Sequence, residues 1–191
     1  YHYSNNQFPL LNQPKHYLPV LQAEAIVIIQ KDYSFFDLNN IIARMKDFIA
    51  AKSMLVLCFW DKIEKILNKS ADFMAFMFYS RQNAEFCTTL KALIEKEGLS
   101  EKIVWYEESQ PKGANYSEID TALTACAVAK ICEEQKAIKR LFIGSGDGDY
   151  KPVFDLAKKK EIPATIIAVS EKSLSYRIQE KSDSIIFLFK K

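Results

Sequence analysis

The sequence predicts an α/β fold in which a mainly parallel central sheet lies between two layers of helices, a three-layer α/β/α sandwich. Short runs of β-branched and aromatic residues alternate along the chain with longer segments that have helical periodicity. This alternation is typical of strand–helix–strand units, whose crossovers place helices on both faces of a parallel sheet. A chain of 191 residues is long enough to form one domain with a substantial core.

The domain is predicted over residues 23–191, preceded by an N-terminal arm. Residues 1–22 are mostly polar and contain Pro9, Pro14 and Pro19, so they are expected to lie along the domain rather than within it. The next segment, AEAIVIIQ (23–30), is a short β-branched run of the kind found in buried parallel strands. It is predicted to be the first strand.

A helix, a strand and a long helical segment are predicted next. The segment FFDLNNIIARMKDFIAA (35–51) has apolar residues at helical spacing, and Asp37 stands near its start. SMLVLCFW (53–60) is predicted to be the second strand. Residues 70–97 are predicted to be mostly helical, and FMAFMFY is interpreted as part of this segment, although its composition could be misread as that of a strand.

The second half of the chain alternates more regularly. KIVWYEE (102–108) is the third predicted strand, and SEIDTALTACAVAKICEEQ (117–135) is an apolar helix with Ser117 as its predicted N-cap. RLFIGS (140–145) is the fourth strand, and a helix is expected to start near Tyr150. The remaining predicted elements are the strand ATIIAVS (164–170), a short helix and the strand SIIFLF (184–189).

Acidic residues follow the fourth strand, at the edge of the sheet where ligands bind in open α/β folds. The stretch LFIGSGDGDYKPV (141–153) ends an apolar run in Ser145, Asp147 and Asp149, which are separated by glycines. Asp120 stands in the first turn of the preceding helix. Each also has a structural interpretation, since the Asp-Gly pairs favour turns and an acidic first turn complements the helix dipole.

Two further polar positions are expected at the same edge. Gln30 is predicted to stand at the tip of the first strand, and Asp32, two residues on, is predicted to reach the same place. Asp61 follows the second predicted strand and is more typical of a helix cap than of a ligand.

Several carboxylates at one sheet edge repel one another unless a cation lies between them. Mg²⁺ and Mn²⁺ prefer oxygen ligands and usually contact phosphate oxygens as well. The sequence therefore predicts a site for Mg²⁺ or Mn²⁺ at this edge.

Other classes of chemistry are less compatible with the composition. The chain has only two histidines, both near the N-terminus, so a zinc site is not expected, and neither Ser145 nor Cys126 has a histidine nearby in sequence to activate it. The four cysteines form no C-x-x-C pair and are interpreted as reduced core thiols of an intracellular, cytoplasmic protein. The net charge of +2 neither requires nor excludes a nucleic-acid ligand.

No apolar run is long enough to cross a membrane, and no signal peptide is recognised. The first residue is not Met, which is typical of a piece of a longer chain, so other domains are expected as partners.

The stretch RLFIGSGDGDYKPVFDLAKKKEIPATIIAVSEKSLSYRIQEKSDSIIFL (140–188) resembles the C-terminal half of NYN domains of the LabA-like type, a branch of the PIN-like nucleases. Those domains have a strand ending in Ser-Gly-Asp-x-Asp-Phe, then a helix, a strand, a Ser-x-x-Leu helix start and an Ala-Asp before the last strand. The corresponding residues are SGDGDY (145–150), EKSLSYRI (171–178) and KSD (181–183). Upstream, PKGANYSEIDTAL (111–123) places Asp120 on the acidic position of the family.

The resemblance implies a PIN-like fold and metal-dependent cleavage of RNA. Asp120, Asp147 and Asp149 would be ligands of Mg²⁺ or Mn²⁺, and the Ser145 hydroxyl would orient a carboxylate or a water. PIN-like domains often pair, so a homodimer is also compatible with the resemblance.

Two positions depart from the family pattern. The first strand of the family ends in an aspartate followed shortly by an asparagine, where this chain is interpreted as having Gln30 and Tyr33, and Cys126 stands where a further aspartate is common. A glutamine offers a carbonyl oxygen but no charge, which weakens metal binding. Either Asp32 substitutes for the missing aspartate, or the site binds metal poorly, or the domain binds RNA without cutting it.

The predicted function is a metal-dependent ribonuclease that hydrolyses phosphodiester bonds of single-stranded or flexible RNA, with Asp149 holding or deprotonating the attacking water. The residues predicted to act in catalysis are Asp32, Asp120, Asp147 and Asp149. Those predicted to bind substrate are Gln30, Ser145, Lys112 and Lys151, with Arg177 and lysines 158–160 as further cations and Tyr33, Phe35 or Tyr150 as stacking platforms.

Two alternatives remain open from the sequence. One is a catalytically weakened NYN-type module that binds RNA or protein, which the departures at Gln30 and Cys126 favour. The other is a phosphatase-like α/β domain, in which a nucleophilic aspartate would directly follow the first strand, where Gln30 is predicted to stand.

Overall fold

The structure is a computed structural model that describes residues 28–108 and 118–190. Six described strands form one sheet in the order β3-β2-β1-β4-β5-β6, and every neighbouring pair is parallel. The strands are β1 Lys31–Asp37, β2 Phe73–Ser80, β3 Ile103–Glu108, β4 Ile138–Gly144, β5 Ala164–Ala168 and β6 Ser184–Phe187. The helices are α1 Leu38–Met45, α2 Lys52–Leu67, α3 Ala84–Lys96, α4 Glu118–Glu134, α5 Lys151–Lys159 and α6 Tyr176–Gln179.

Helices cover both faces of the sheet, which confirms the predicted α/β fold with a parallel sheet between two helical layers. Phe35 and Phe36 show the two faces, because successive residues of a strand point in opposite directions. Phe36 lies in a core with apolar side chains of α1, α2 and α3, whereas Phe35 lies in a second core with those of α4 and α5. Both phenylalanines are fully buried.

The first strand starts later than predicted. Residues 28–30 belong to no strand, and residues 23–27 lie outside the described part of the chain, as does the predicted arm over 1–22. The strand is KDYSFFD (31–37), in which the buried polar residues Asp32, Ser34 and Asp37 interrupt the apolar pattern. Because of these polar residues, the sequence pattern predicts a strand that ends before residue 31 and a helix that begins at residue 35.

The helix predicted over 35–51 is confirmed as α1, over a shorter range, and the second half of the helical segment predicted over 70–97 is confirmed as α3. The prediction was wrong for the second strand and for the first half of 70–97. Residues 53–60 belong to helix α2, where Leu55, Phe59 and Ile63 are buried at helical spacing while Leu57 is half exposed. Residues 73–80 form the central strand β2, which is buried on both faces and therefore shows a continuous apolar run without alternation. The predicted elements from β3 onward are confirmed, apart from shifts of up to two residues at their ends. Ser117, the predicted N-cap, lies outside the described residues.

The strand order reverses at β1, so β1 and β4 are neighbours although β2, β3 and four helices separate them along the chain. Phe36 of β1 pairs with Gly144 of β4, which brings Asp37 and Ser145 side by side at the carboxyl edge. Open α/β sheets bind ligands in the crevice at such a point. No helix within the described ranges is both long and apolar enough to cross a membrane.

Candidate functional site

Asp37 ends β1 and begins α1 at the carboxyl edge of the sheet. Its carboxylate is buried, with only 3% of the residue exposed. Asp37 Oδ1 accepts a hydrogen bond from the Asn40 backbone N–H at 3.0 Å, so the residue is the N-cap of α1. The sequence prediction treated Asp37 only as a helix-start residue, whereas the structure makes it the acidic residue at the end of the first strand.

The turn after β4 carries two more carboxylates. Ser145 is buried and its hydroxyl oxygen accepts from the Asp147 N–H at 3.2 Å, while Asp147 Oδ1 accepts from the Asp149 N–H at 3.1 Å. Asp147 thereby caps a short 3₁₀ turn, Gly148–Tyr150, that leads into α5. These bonds fix Asp147 at the crevice and leave Asp149 exposed to solvent.

The Tyr150 hydroxyl joins the end of β1 to the start of α4. Tyr150 is fully buried, and its hydroxyl lies 3.0 Å from Asp37 Oδ2 and 2.8 Å from Asp120 Oδ1. A hydroxyl has a single proton, so it can donate to only one of these carboxylates at a time. The other carboxyl group can form a hydrogen bond to the hydroxyl oxygen only when it keeps its own proton and donates it. One proton on the Asp37–Asp120 pair therefore satisfies both contacts.

The pKa values of the two carboxyl groups agree with that arrangement. The pKa of Asp37 is raised to about 6, mainly by burial and also by the charges of Asp120 and Asp147, against the opposing hydrogen bonds from Asn40 and Tyr150. Burial also raises the pKa of Asp120, with added repulsion from Asp147 and Asp149. The neighbouring aspartate charges thus oppose the ionisation of Asp37 and of Asp120, and either a proton or a cation relieves the conflict.

The donor set fits Mg²⁺ or Mn²⁺ in chemistry and in charge, since every candidate ligand is an oxygen. Within the described residues, however, no three histidine, cysteine, aspartate or glutamate side chains are grouped closely enough to hold an ion as they stand. The Tyr150 hydroxyl lies between the Asp37 and Asp120 carboxyl groups in this structure.

Of the residues predicted to act in catalysis, Asp120, Asp147 and Asp149 lie together at this edge, but Asp32 does not. Because β1 starts at Lys31, Asp32 lies at the amino edge, where its buried carboxylate forms a two-pronged ion pair with Arg140 of β4. Gln30 precedes the strand, and its Nε2 donates to the Lys136 carbonyl at 3.2 Å. The prediction that Gln30 and Asp32 belong to the site was therefore wrong.

Asp61 is also remote from the edge. It lies in the middle of α2, exposed, and pairs with Lys65 at 2.6 Å. It caps no helix, contrary to expectation.

Most of the cations predicted to contact the substrate either pair with another side chain or lie away from the site. Lys151 Nζ pairs with Asp155 Oδ2 at 2.6 Å, and lysines 158–160 lie at the far end of α5, next to the start of β5. Arg177 stays near the site, with its guanidinium 3.4 Å from Asp149 Oδ1. Lys112 lies outside the described residues.

The predicted stacking platforms are unavailable to a base. Tyr33, Phe35 and Tyr150 are each at most 1% exposed, because they belong to the core between the sheet and α4 and α5. The prediction of base stacking on these rings was wrong.

The residues that the prediction missed follow β1 directly. Asn39 bonds the ends of two strands, since its Oδ1 accepts from the Ser80 N–H at 3.1 Å and its Nδ2 donates to Ser80 Oγ at 2.9 Å. The signal was present in FFDLNN, an aspartate followed shortly by asparagines, but the strand was placed too early to connect the two. The acidic residue at the end of the first strand is therefore Asp37 and not Gln30. The asparagine shortly after it is Asn39 or Asn40, at the place given to Tyr33 in the sequence prediction.

The cysteines are all free thiols, but they are not all in the core. Cys87 is buried, Cys58 and Cys126 are partly buried, and Cys132 is exposed on α4, which corrects its predicted place in the core. The Cys126 sulfur lies 3.9 Å from the Tyr106 hydroxyl of β3.

Comparison with known proteins supports the fold alone. No family model matches the chain, and no curated protein matches it. Among solved structures, the chain is similar to the crystal structure of a protein of unknown function from Vibrio parahaemolyticus, with a TM-score of 0.59 and 14% sequence identity. The similarity covers 85% of this chain and 94% of that one.

Proposed function

We propose that the protein is a metal-dependent ribonuclease that hydrolyses single-stranded or flexible RNA at the carboxyl edge of β1 and β4. One observation carries this proposal: Asp37, Asp120, Asp147 and Asp149 come from three separate parts of the chain and converge at the point where the strand order reverses. Buried Asp37 has no ion-pair partner among the described residues. A cation supplied from solution would balance these charges.

We further propose that the chain is a LabA-like NYN domain of the PIN-like superfamily. The corrected start of β1 supports this, because the first strand now ends in Asp37, with Asn39 and Asn40 shortly after. With β1 placed earlier in the sequence, Gln30 and Tyr33 took these two positions and departed from the family pattern. Since Asp37 and an asparagine take them instead, that departure no longer argues for a weakened site.

In this proposal Asp37, Asp120 and Asp147 hold the metal. Mg²⁺ or Mn²⁺ held there would supply charge stabilisation to a phosphoryl oxygen and would activate a water. Asp149, the most exposed of the four, would orient the attacking water and take its proton, and Arg177 beside it would neutralise a phosphate. Tyr150 holds the Asp37 and Asp120 carboxyl groups in place, and Ser145 fixes the backbone of Asp147.

The proposal is tested by cleavage of a labelled single-stranded RNA with Mn²⁺ or Mg²⁺. We expect cleavage by the unmodified protein and a loss of at least about 100-fold in Asp147→Asn, since that substitution removes a charge but keeps the shape of the side chain. EDTA should abolish the activity. Asp61→Asn, which removes an equal charge from an exposed helix position, should cleave normally. Equal rates in Asp147→Asn and in the unmodified protein would contradict the proposal.

A second candidate is an RNA-binding module without catalysis. The absence of three closely grouped ligands in the described part of the chain favours it. It would bind the same RNA equally well with Mn²⁺ or with EDTA and would cleave it in neither, so the assay above separates the two.

A phosphatase-like mechanism fits less well, although Asp37 does directly follow the first strand. Both of its oxygens are already engaged, Oδ1 by the Asn40 N–H and Oδ2 by the Tyr150 hydroxyl, and the side chain is buried. A nucleophilic oxygen has to reach the substrate phosphorus itself, which the buried Asp37 does not, whereas a metal ligand needs only the cation beside it and can keep its hydrogen bonds. We also propose an intracellular location, because all four cysteines are unpaired.

A further inference from the structure

A polar cavity of about 260 Å³ opens beside the acidic site. Asn40 and Arg44 of α1 form one side of it, Lys172 and Arg177 the other, and the turn that carries Asp147 lies between them. The cavity therefore shares Asp147 with the acidic site and extends from it across the end of α1.

The cavity has the opposite charge to the acidic site. Arg44, Lys172 and Arg177 surround a single carboxylate, Asp147. Within the described residues, neither Arg44 nor Lys172 takes part in an ion pair, and the contact of Arg177 with Asp149 is a long one at 3.4 Å between two exposed side chains. Cations that are not neutralised by their own protein are available to an anion.

The position of the cavity relative to Asp147 is fixed by backbone contacts. The Ser175 N–H donates to the Gly146 carbonyl at 2.8 Å, which holds the turn after β4 against the segment that carries Lys172 and Arg177. A side chain at Gly146 would not fit, because its Cβ would lie 1.9 Å from the Ser173 carbonyl oxygen. A ligand in the cavity is thus held at a constant distance from the acidic site.

The neighbouring sequence favours a polynucleotide over a free anion. Tyr176 does not line the cavity, but it lies between the lining residues Ser175 and Arg177 in sequence and is 81% exposed. Exposed aromatic rings beside cationic grooves are how single-stranded nucleic acids are bound without sequence preference, since bases stack on the rings while the backbone follows the charges.

We propose that this cavity binds a backbone phosphate of single-stranded RNA adjacent to the phosphate that is cleaved. The inference rests on the proposed function for the identity of the ligand, but the binding itself uses only Arg44, Lys172, Arg177 and Asn40 and requires no metal. The cavity would hold the strand while the acidic site acts on the next phosphodiester bond.

The test is the salt dependence of RNA binding in EDTA. Fluorescence anisotropy with a labelled oligouridine would compare the unmodified protein with the triple variant Arg44→Gln, Lys172→Gln, Arg177→Gln. Each cation that neutralises a phosphate of a single strand contributes about 0.7 to the slope of log K against log salt concentration. We therefore expect the slope to fall by about 2 in the triple variant, with at least about a tenfold loss of affinity at low salt.

The matched control is Lys96→Gln, Lys136→Gln, Lys139→Gln. It removes the same charge from three exposed lysines near the amino edge of the sheet, at the end of α3 and around the start of β4. The slope of log K against log salt concentration for this control should equal that of the unmodified protein. Both variants should have the melting temperature of the unmodified protein, since all six side chains are exposed.

The proposal would be overturned by any of three results. These are an unchanged salt-dependence slope in the cavity variant, an equal fall of that slope in both variants, or no binding of RNA by the unmodified protein. If binding follows the prediction but no cleavage occurs with Mn²⁺, the cavity is supported and the proposed nuclease activity fails. The two inferences are therefore separable.

Discussion

The variant Asp37→Asn is expected to be more stable than the unmodified protein at neutral pH. Folding buries the Asp37 carboxylate beside Asp120 and Asp147, and its pKa rises from the usual value of about 3.9 to about 6. A difference of that size corresponds to a cost of about 2 to 3 kcal/mol for holding the ionised group in the folded state. An asparagine removes this cost. It also keeps the N-cap of α1, because its side-chain oxygen can still accept from the Asn40 N–H.

The gain in stability should depend on pH. Between about pH 4 and pH 6 the folded protein keeps the Asp37 proton while the unfolded chain has lost it, so the folded state binds more protons and its stability falls as the pH rises. Below that window both states are protonated, and the cost is absent. Above it both are ionised, and the cost is complete. Asp37→Asn should therefore match the unmodified protein near pH 4 and exceed it at pH 7.

Urea unfolding at pH 4 and pH 7, in EDTA, measures this directly. The control is Asp61→Asn, an exposed aspartate whose loss should change the free energy of unfolding by less than about 0.5 kcal/mol at either pH. A variant at Asp37 that is less stable than the unmodified protein at pH 7 would show that the buried carboxylate is compensated within the fold. That result would remove the electrostatic argument for a cation.

The second large effect is expected at Gly146, in the turn after β4. A Cβ there would lie 1.9 Å from the Ser173 carbonyl oxygen and 2.8 Å from the carbonyl carbon, so a backbone segment has to move to admit it. Gly146→Ala should therefore lower the free energy of unfolding by about 3 kcal/mol or more, since overpacking against rigid neighbours costs about 1 to 3 kcal/mol where relaxation is possible. The turn also places Asp147 and Asp149, so RNA cleavage should fall with stability.

Gly148, two residues on, is the matched control. Its added Cβ would meet Ser175 Oγ at 2.7 Å, Arg177 Cδ at 3.0 Å and Arg177 Cβ at 3.3 Å, so it meets side chains and no backbone segment. Gly148→Ala should cost about 1 kcal/mol, since moving Ser175 Oγ disturbs only the N-cap bond that it accepts from the Arg177 N–H. Thermal and urea unfolding of the two variants would test the difference, and equal losses would show that the turn is not held against the backbone of 173–175.

The fold could be predicted from the sequence because the second half of the chain follows simple rules. Strands β3 to β6 are short β-branched or aromatic runs, and α4 and α5 have helical periodicity. The first half could not be predicted by the same rules. A fully buried central strand such as β2 and a helix with a wide apolar face such as α2 both appear as continuous apolar runs, and only their place in the sheet distinguishes them.

The site was predictable where a turn motif marked it. Asp147 and Asp149 stand in a glycine-rich turn directly after an apolar run, and Asp120 is in the first turn of a helix, so their proximity follows from a parallel sheet. Asp37 was missed because β1 contains Asp32 and Ser34, polar residues that the fold buries, of which Asp32 is paired with Arg140 of the neighbouring strand β4. Placing the first strand one strand's length too early put Gln30 at its carboxyl end instead of Asp37. It also put Asp32 at the carboxyl edge of the sheet, whereas Asp32 lies at the amino edge.

The most direct test of the central claim is Mn²⁺-dependent RNA cleavage by Asp37→Asn and Asp32→Asn side by side, each shown to be folded by circular dichroism. The two substitutions remove the same charge from opposite ends of β1. If the acidic site is at the carboxyl edge, Asp37→Asn loses at least about 100-fold in rate and Asp32→Asn, whose partner is Arg140, keeps most of it. Cleavage retained by folded Asp37→Asn would contradict the account.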